Sequence, residues 1–321
     1  MKYVDMHCDT ITVLYQNNGD LLRNELHNDL NKMKKGECLL QNFAVFTDIA
    51  EKDSSFTEAS IRYYYEQLEK YPELIRPVYR YEDIEKNEKD GCISALLTLE
   101  EGSVIDNDLH KLDHFYDEGV RMITLTWNYP NGIGFPNFSM QDGDYEDLLY
   151  HINEKDGLTP FGIEYVRRME ELGIIVDVSH LSDRGFYDVL EYTTKPFVAS
   201  HSCARALCGV ARNLSDDMIE KLSQRGGVVG LNYCSSFIED HNEEFTKISD
   251  MVAHIRHIVK IGGIDCVGLG SDFDGIENRL EIKDASGMNL LYEALKPYFT
   301  EEEIRKIFYE NVLRVYKEVF K

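Results

Sequence analysis

The feature that most constrains this chain is the repeated placement of metal-binding side chains directly after short apolar runs. Short apolar runs rich in β-branched residues predict buried parallel strands. When such strands close into a barrel, the residues that follow them meet at one end and build a site there. The runs, with the residues that end them, are Tyr3–Asp9, Cys92–Glu100, Ile174–His180, Pro196–His201 and Cys266–Asp274.

Candidate strands alternate with helical patterns along the chain. The strands are expected to end near Met6, Phe46, Leu99, Thr126, Val178, Ser200, Leu231 and Gly270. The helical patterns cover Glu58–Lys70, Asn107–Glu118, Pro160–Leu172, Asp183–Tyr192, Asp216–Gln224, Ile248–Ile261 and Gly287–Tyr298, and Thr300 caps a last helix. Eight repeated βα units without a break in composition predict a single α/β domain over residues 1–321, folded as a (β/α)8 barrel.

The composition argues against nucleic-acid and membrane partners. The net charge is −24, from 34 basic and 58 acidic residues, so the surface repels nucleic acid and anionic lipid. No stretch approaches the roughly 20 apolar residues that span a bilayer. The first residues show no signal peptide and the last ones no hydrophobic tail, so we expect a cytoplasmic protein.

The seven cysteines suit neither a disulfide framework nor a zinc ribbon, because their number is odd and no Cys-x-x-Cys pair occurs. We expect most of them to be small buried residues. Cys8 and Cys203 neighbour candidate metal ligands, and the alternation of side chains along a strand should turn them away from the metal. The connections Thr47–Thr57 and Trp127–Leu158 are long, so we expect them to cover an active site, the alternative being passive insertions.

Five side chains form the candidate metal site. His7 and Asp9 are two residues apart on a strand and therefore point the same way. Glu100 ends an apolar run, where an unpaired carboxylate is costly to bury. Its neighbour Glu101 should face the other way and is the better candidate for a helix-capping or salt-bridged rim residue. His180 and His201 end two consecutive strands. Three imidazoles and two carboxylates exceed the three protein ligands of a catalytic zinc, so the set suits two metals that share a bridging carboxylate.

Asp272 follows the eighth strand in a glycine-rich segment and is our candidate for the proton-transferring carboxylate, with Asp274 as its competitor. Two other histidine pairs carry no predicted function. His110 and His114 have helical spacing but lack the glutamate of a His-Glu-x-x-His motif. His254 and His257 lie on an amphipathic pattern, and we expect them on the surface.

The chain resembles the membrane dipeptidase (renal dipeptidase) family of zinc metallopeptidases, within the amidohydrolase-like TIM barrels, as a bacterial-type member. The resemblance covers nearly the whole chain. It is densest in His7–Asp9, Thr98–Glu100, Gly157–Gly162, Asp177–His180, Ser200–Ser202, Ala211–Asn213, Gly268–Gly275 and Glu301–Lys306.

The resemblance implies two Zn²⁺ per chain. One ion would be held by His7 and Asp9, and the other by His180 and His201, with Glu100 as the bridge. Related barrels often use a carboxylated lysine from the fourth strand for this purpose. Here that strand ends Ile123–Asn128 without a lysine, which agrees with a glutamate bridge.

The resemblance also implies substrate-binding residues. Arg212 falls where the family grips the C-terminal carboxylate of the dipeptide, a task that suits the guanidinium fork. The renal enzyme has a substrate-polarising histidine where this chain has Trp127. Asn128 or a zinc ion is expected to take over that role, and His151 is the weaker substitute.

The implied activity is hydrolysis of free dipeptides, including those with a C-terminal D-residue, through attack by a metal-bridging hydroxide. Asp272 would carry the proton and Glu100 would hold both metals. The alternatives are another amidohydrolase-type reaction on a small amide or lactone, and a catalytically silent binding barrel. Relatives are often dimers, so a homodimer is one candidate assembly, but the sequence shows no interface and leaves the oligomeric state open.

Overall fold

The computed structural model describes residues 1–140, 143, 148–242 and 244–321. Eight of its strands form the barrel and are labelled β1–β8 in chain order. They are β1 Tyr3–Asp5, β2 Cys38–Phe46, β3 Ile93–Glu100, β4 Val120–Thr124, β5 Ile175–Asp177, β6 Val198–Ser202, β7 Val228–Leu231 and β8 Val267–Leu269. Each expected strand is present within a few residues of its predicted end.

The eight strands close into a parallel ring. The order is β2-β1-β8-β7-β6-β5-β4-β3, and β3 pairs back with β2 over seven residues, Leu40–Phe46 with Ser94–Glu100. The predicted (β/α)8 TIM-like barrel is therefore confirmed. A short strand, Ile75–Pro77, adds to the outside of β3, and Phe245–Thr246 pairs with Arg279–Leu280 outside the barrel.

Helices surround the ring. Their bounds are Thr10–Asn17, Leu30–Lys35, Ser54–Lys70, Tyr81–Lys89, Leu109–Asp117, Pro160–Leu172, Asp183–Tyr192, Asp216–Gln224, Ser235–Ile238, Ile248–Gly262, Asn289–Leu295, Glu301–Arg305 and Asn311–Val319. A π-helical turn, Lys306–Glu310, joins the last two, and 3₁₀ turns cover Gly102–Ile105, Ile264–Cys266 and Ala285–Gly287. The helices within residues 10–35 and at 81–89 were not predicted, because they are short or lack a clear apolar period.

Helix ends follow the local signals in the sequence. Thr159 caps the helix that starts at Pro160 by accepting a hydrogen bond from the Gly162 N–H, and that helix stops at Gly173, whose φ is +86°. Thr300 and Glu303 form the capping box of the C-terminal helix, as its sequence predicts.

The C-terminal helix covers the amino ends of the strands. The amide of Asn311 donates to the carbonyl oxygen of Val267, the first residue of β8. Val312 and Tyr316 are fully buried in one apolar cluster with Val4 and Val228. This end of the barrel is therefore filled with apolar side chains, and polar chemistry is left to the opposite end.

Two predictions about individual segments need correction. The connection after β2 is shorter than Thr47–Thr57, because a helix begins at Ser54 and buries Thr57. The expectation that His254 lies on the surface is wrong. Its ring is 1% exposed and bridges two segments, accepting from the Ala204 N–H at Nδ1 and donating from Nε2 to the Ile238 carbonyl. Helical period alone did not reveal that a polar side chain sits on the buried face.

All seven cysteines are free thiols. Cys8 Sγ donates to the Asn42 carbonyl and Cys203 Sγ to the Asn232 carbonyl, so both point away from the neighbouring histidines, as predicted. Within the described residues, the helices are all too short or too polar to cross a bilayer.

Candidate metal centre

The predicted ligands gather at the carboxyl end of the barrel because parallel strands all end there. His7 and Asp9 follow β1, Glu100 is the last residue of β3, and His180 and His201 come from the ends of β5 and β6. All five side chains are at least nine-tenths buried. Asp272 follows β8 and completes the ring of polar groups.

One half of the centre surrounds His7. Its Nε2 lies 3.3 Å from Asp9 Oδ2, 3.4 Å from Glu100 Oε2 and 3.8 Å from Asp272 Oδ1. Three carboxylates around one imidazole need positive charge to offset their mutual repulsion. This half therefore offers one nitrogen and several oxygens to a cation.

The other half contains His180 and His201. Their Nε2 atoms are 3.1 Å apart, and Glu100 Oε1 lies 3.0 Å from the first and 3.5 Å from the second. Glu100 thus directs one oxygen to each half of the centre. The ring of His201 also stacks on that of His7, with centroids 3.8 Å apart.

The hydrogen bond at Nδ1 determines which ring nitrogen of His180 and of His201 carries the proton. His180 Nδ1 lies 2.9 Å from Asn128 Oδ1, which can only accept. His201 Nδ1 lies 2.7 Å from Ser200 Oγ, whose hydroxyl is already donated to Asp177 Oδ2. Both Nδ1 atoms therefore carry the proton, and both Nε2 atoms direct a lone pair into the centre.

The pKa shifts follow from burial and from these neighbours. Burial opposes a charge on His7, but Glu100 and Asp9 outweigh it and raise its pKa well above the ordinary value. Burial, followed by the positive charges of Arg212 and His7, lowers the pKa of His180 well below the ordinary value. The pKa of His201 is likewise lowered, by burial first and then by the charges of His7 and Arg212. Burial raises the pKa of Glu100 to about 7.

These features fit metal ions. The two facing Nε2 lone pairs repel each other unless a cation lies between them. Asp9 Oδ1 and His7 Nε2, the nitrogen that faces the carboxylates, are buried and have no hydrogen-bond partner among the described residues. Ligand atoms of His7, Glu100 and His201, and of His7, Asp9 and Asp272, lie within metal-binding distance of one another. Nitrogen and carboxylate ligands of this kind suit zinc and similar divalent ions.

Asp272 and Asp274 face different ways. Asp272 Oδ2 accepts from the amide of Asn232, which leaves Oδ1 turned toward His7. Asp274 instead accepts from Thr10 Oγ1 and from the His27 N–H, both at 2.6 Å, and ties loops together. Of the two carboxylates, Asp272 is therefore the one that faces the centre.

Gly275 lies directly against the carboxylates. A Cβ on this residue would come within 2.2 Å of Asp9 Oδ2 and 2.5 Å of Asp272 Oδ1. A side chain of any size would thus displace atoms of the centre, which explains a glycine at this position.

A cavity of about 470 Å³ opens onto the centre. Its walls come from Asp9, Phe46, Glu100, Trp127, Asn128, His180, the segment Cys234–Phe237, Asp272 and the segment Gly275–Asn278. Three other pockets among the described residues are larger, about 820, 830 and 560 Å³, but none of them contains a predicted metal ligand. The smaller cavity is the one in which the chemistry can take place.

Arg212 lies close to the centre but does not line the cavity. It is 4% exposed, donates from Nη1 to Ser202 Oγ at 3.0 Å, and its guanidinium stands 5.5 Å from the ring centre of Phe237, which does line the cavity. Its positive charge helps to lower the pKa of both His180 and His201.

The loop after β4 contributes Trp127 and Asn128 to the cavity. The indole of Trp127 packs on Phe46 at 4.8 Å between ring centres and lies 6.3 Å from His180. His151, further along the loop, is exposed and lines a separate pocket. The carboxylate of Glu101 accepts from the Ser103 N–H and caps the 3₁₀ turn Gly102–Ile105, so of its two predicted roles the helix-capping one is confirmed. Residues 141, 142 and 144–147 of this loop lie outside the described residues.

Three groups that shape the centre were missed from the sequence. Asp177 and Ser200 orient His201, and Asn232 holds Asp272. Asn232 directly follows β7, so the rule that found the metal ligands, a polar residue at the end of an apolar run, could have found it too. Asp177 is the last residue of β5 and fits the same rule, but the longer run up to His180 drew the prediction to the histidine.

Known proteins match this chain over its full length. The sequence profile of the family described as membrane dipeptidase, peptidase family M19, matches residues 1–321. The chain belongs to the membrane dipeptidase family. Members of this family are metallopeptidases that act on dipeptides, and the chain is thus a metal-dependent dipeptidase, a hydrolase of small peptide substrates.

Three individual proteins are similar to this chain in sequence or in fold. An uncharacterized dipeptidase of Schizosaccharomyces pombe is 33% identical over 308 residues, which cover 91% of this chain and 72% of the relative. The crystal structure of a dipeptidase AC of family M19 superposes with a TM-score of 0.90 at 26% identity, covering 100% of this chain and 99% of that one. A metallopeptidase from Rhodobacter sphaeroides, liganded with a phosphinate mimic of the dipeptide L-Ala-D-Ala, has a TM-score of 0.88 at 24% identity, covering 99% of each chain.

Proposed function

We propose that this dipeptidase uses two zinc ions per chain, one held by His7 and Asp9 and the other by His180 and His201. The observation that carries the proposal is the division of the Glu100 carboxylate. Its Oε2 is directed at the first pair and its Oε1 at the second. A carboxylate shared in this way is the arrangement that a two-metal site needs.

When bound, divalent metals supply a Lewis acid for the scissile carbonyl and lower the pKa of a bound water. The residues of this chain do the remaining work. Asp272 would take a proton from the attacking water and deliver it to the departing nitrogen, with its orientation fixed by Asn232. Arg212 would bind the carboxylate of the second residue, which limits the substrate to a dipeptide.

Asn128 is proposed to act on His180 rather than on the substrate. Its Oδ1 is engaged by His180 Nδ1, so it holds the ring in the tautomer that leaves Nε2 available. Trp127 and Phe46 would form an apolar wall of the substrate cavity. We also propose that residues 1–321 form one domain, since strands from both ends of the chain, β1 and β8, are paired in the ring. The cytoplasmic location and the homodimer remain predictions.

The test is hydrolysis of a panel of L,L and L,D dipeptides by the zinc-loaded protein, with metal content measured on the same sample. L-Ala-D-Ala belongs in the panel because the Rhodobacter sphaeroides protein binds a mimic of it. We expect two zinc ions per chain and release of free amino acids, both abolished by chelation.

The outcomes separate the parts of the proposal. One zinc per chain in an active enzyme would overturn the shared-carboxylate site. Two zinc ions without cleavage of any dipeptide would overturn the substrate, and small cyclic amides and lactones would then be assayed. A Glu100→Gln variant should no longer hold its full complement of two metal ions, because one neutral amide oxygen cannot bind metal in both halves of the centre.

A further inference from the structure

The backbone just before Arg212 is held by side chains from two other segments. The carbonyl oxygen of Ala211 accepts from Asn137 Nδ2 at 2.7 Å and from Arg205 Nη2 at 2.9 Å. The N–H of Ala211 donates to the Leu149 carbonyl at 2.8 Å. The N–H and the carbonyl oxygen of Ala211 are therefore both held in place. This fixes the direction in which the side chain of Arg212 leaves the backbone.

Arg205 is itself locked in place. Its guanidinium binds Asp183 through two hydrogen bonds of 2.6 and 2.7 Å, and the side chains of both residues are largely buried. Paired bonds of this kind fix orientation as well as distance. Arg205 can thus present Nη2 to Ala211 in one geometry.

Asn137 uses its whole side chain in the same network. Nδ2 donates to Asp183 Oδ1 and to the Ala211 carbonyl, while Oδ1 accepts from the N–H groups of Asp183 and Asn153. Two donors and two acceptors are the full capacity of an amide, so the side chain of Asn137 is fully engaged in this network. The backbone N–H of Asn137 also donates to the His180 carbonyl at 3.3 Å.

Asn137 and Arg205 do not touch the catalytic cavity. Asn137 is 5% exposed and lines a different pocket, formed by the loop after β4. Neither residue belongs to the cavity walls. An effect of either one on substrate binding is therefore indirect. It passes through the segment that carries Arg212 or, for Asn137, through His180 and Leu181, whose carbonyl oxygens Asn137 also contacts.

We infer that Asn137 and Arg205 are positioning residues that aim Arg212 at the terminal carboxylate of the dipeptide. They thereby set the preference for substrates whose second residue ends in a free carboxylate. This inference rests on the proposed function, in which Arg212 binds that carboxylate.

The experiment compares a dipeptide with its C-terminal amide as substrates of Asn137→Ala. We expect KM for the free dipeptide to rise about tenfold, as is usual for loss of a supporting hydrogen-bond network. The kcat/KM for the amide should stay near the wild-type value, so the ratio of the two substrates falls. In an Arg212→Ala background, Asn137→Ala should change this ratio no further, because residues that act through one another are not additive.

Two further variants distinguish a specific effect on substrate preference from general destabilisation of the protein. Arg205→Lys keeps a cation beside Asp183 but loses the bond to Ala211, and it should lower the same ratio. Asn311→Ala removes a buried amide that likewise donates to two backbone carbonyls, those of Ile264 and Val267, at the opposite end of the barrel. It should lower thermal stability and leave the ratio unchanged.

The possible failures are distinguishable. Suppose that the wild-type enzyme is active. This inference alone is overturned if Asn137→Ala lowers kcat/KM for the dipeptide and for its amide by the same factor. It is also overturned if Asn137→Ala has its full effect on the ratio in the Arg212→Ala background. A wild-type enzyme that cleaves neither substrate overturns the proposed function and this inference with it.

Discussion

Asn128 Oδ1 lies 2.9 Å from His180 Nδ1, and this contact determines which nitrogen of the histidine faces the metal centre. The carbonyl oxygen of the amide cannot donate, so Nδ1 carries the proton. Nε2 then directs its lone pair toward Glu100 Oε1, 3.0 Å away. A residue that the sequence placed at the substrate is therefore engaged with a metal ligand.

Removing this support should weaken metal binding. In Asn128→Ala, the ring of His180 loses the partner that holds its tautomer, and we expect metal affinity to fall about 10- to 100-fold. Asn128→Asp keeps an acceptor at the same place and should retain most of the affinity. Titration against a competing chelator measures both. If Asn128→Ala binds metal normally but has a low kcat, the residue acts on the substrate carbonyl instead.

Gly275 should not tolerate even a methyl group. In Gly275→Ala, the Cβ would overlap Asp9 Oδ2 and Asp272 Oδ1, so we expect loss of bound metal and a fall in kcat/KM of at least about tenfold. Gly209→Ala is the matched control, since its Cβ would meet no atom closer than 3.7 Å. Equal metal content in the two variants would show that the segment shifts without disturbing the centre.

Asp272→Asn should separate proton transfer from metal binding. The variant keeps the shape of the side chain but cannot accept a proton at neutral pH, so we expect kcat to fall about 10²- to 10⁴-fold while both metals stay bound. Asp274→Asn serves as the control, because that carboxylate is engaged by Thr10 and His27. Its kcat should stay near the wild-type value. Near-normal turnover by Asp272→Asn would remove this residue from the mechanism.

Metal binding near pH 7 should release protons. The pKa of His7 is raised well above its ordinary value and that of Glu100 to about 7, so the metal-free centre holds protons there that a metal must displace. His180 and His201 have lowered pKa values, are already neutral, and release none.

Affinity should therefore rise with pH through the neutral range and level off once His7 is deprotonated. Calorimetry in buffers of different ionisation enthalpy counts the released protons. A binding heat that does not depend on the buffer would contradict the raised pKa of His7.

Much of the fold could be predicted because its signals are local. Each barrel strand is a short apolar run, and the helices Asp183–Tyr192 and Asp216–Gln224 have the predicted bounds because clear capping and period signals mark them. The buried position of His254 could not be predicted. Its burial depends on the Ala204 and Ile238 segments, which supply its partners from 50 and 16 residues away in the chain.

The order of residues along the chain is enough to show that polar ligands follow successive strands, and hence that they share one end of a parallel barrel. Which of these ligands come into contact, and through which atoms, depends on how the loops pack against one another. The two oxygens of Glu100, the tautomer of His180 and the network of Asn137 and Arg205 all depend on side chains from different loops brought within 3.5 Å of each other. Strand pattern is a property of neighbours in the chain, whereas hydrogen-bond geometry between loops exists only after the ring has closed.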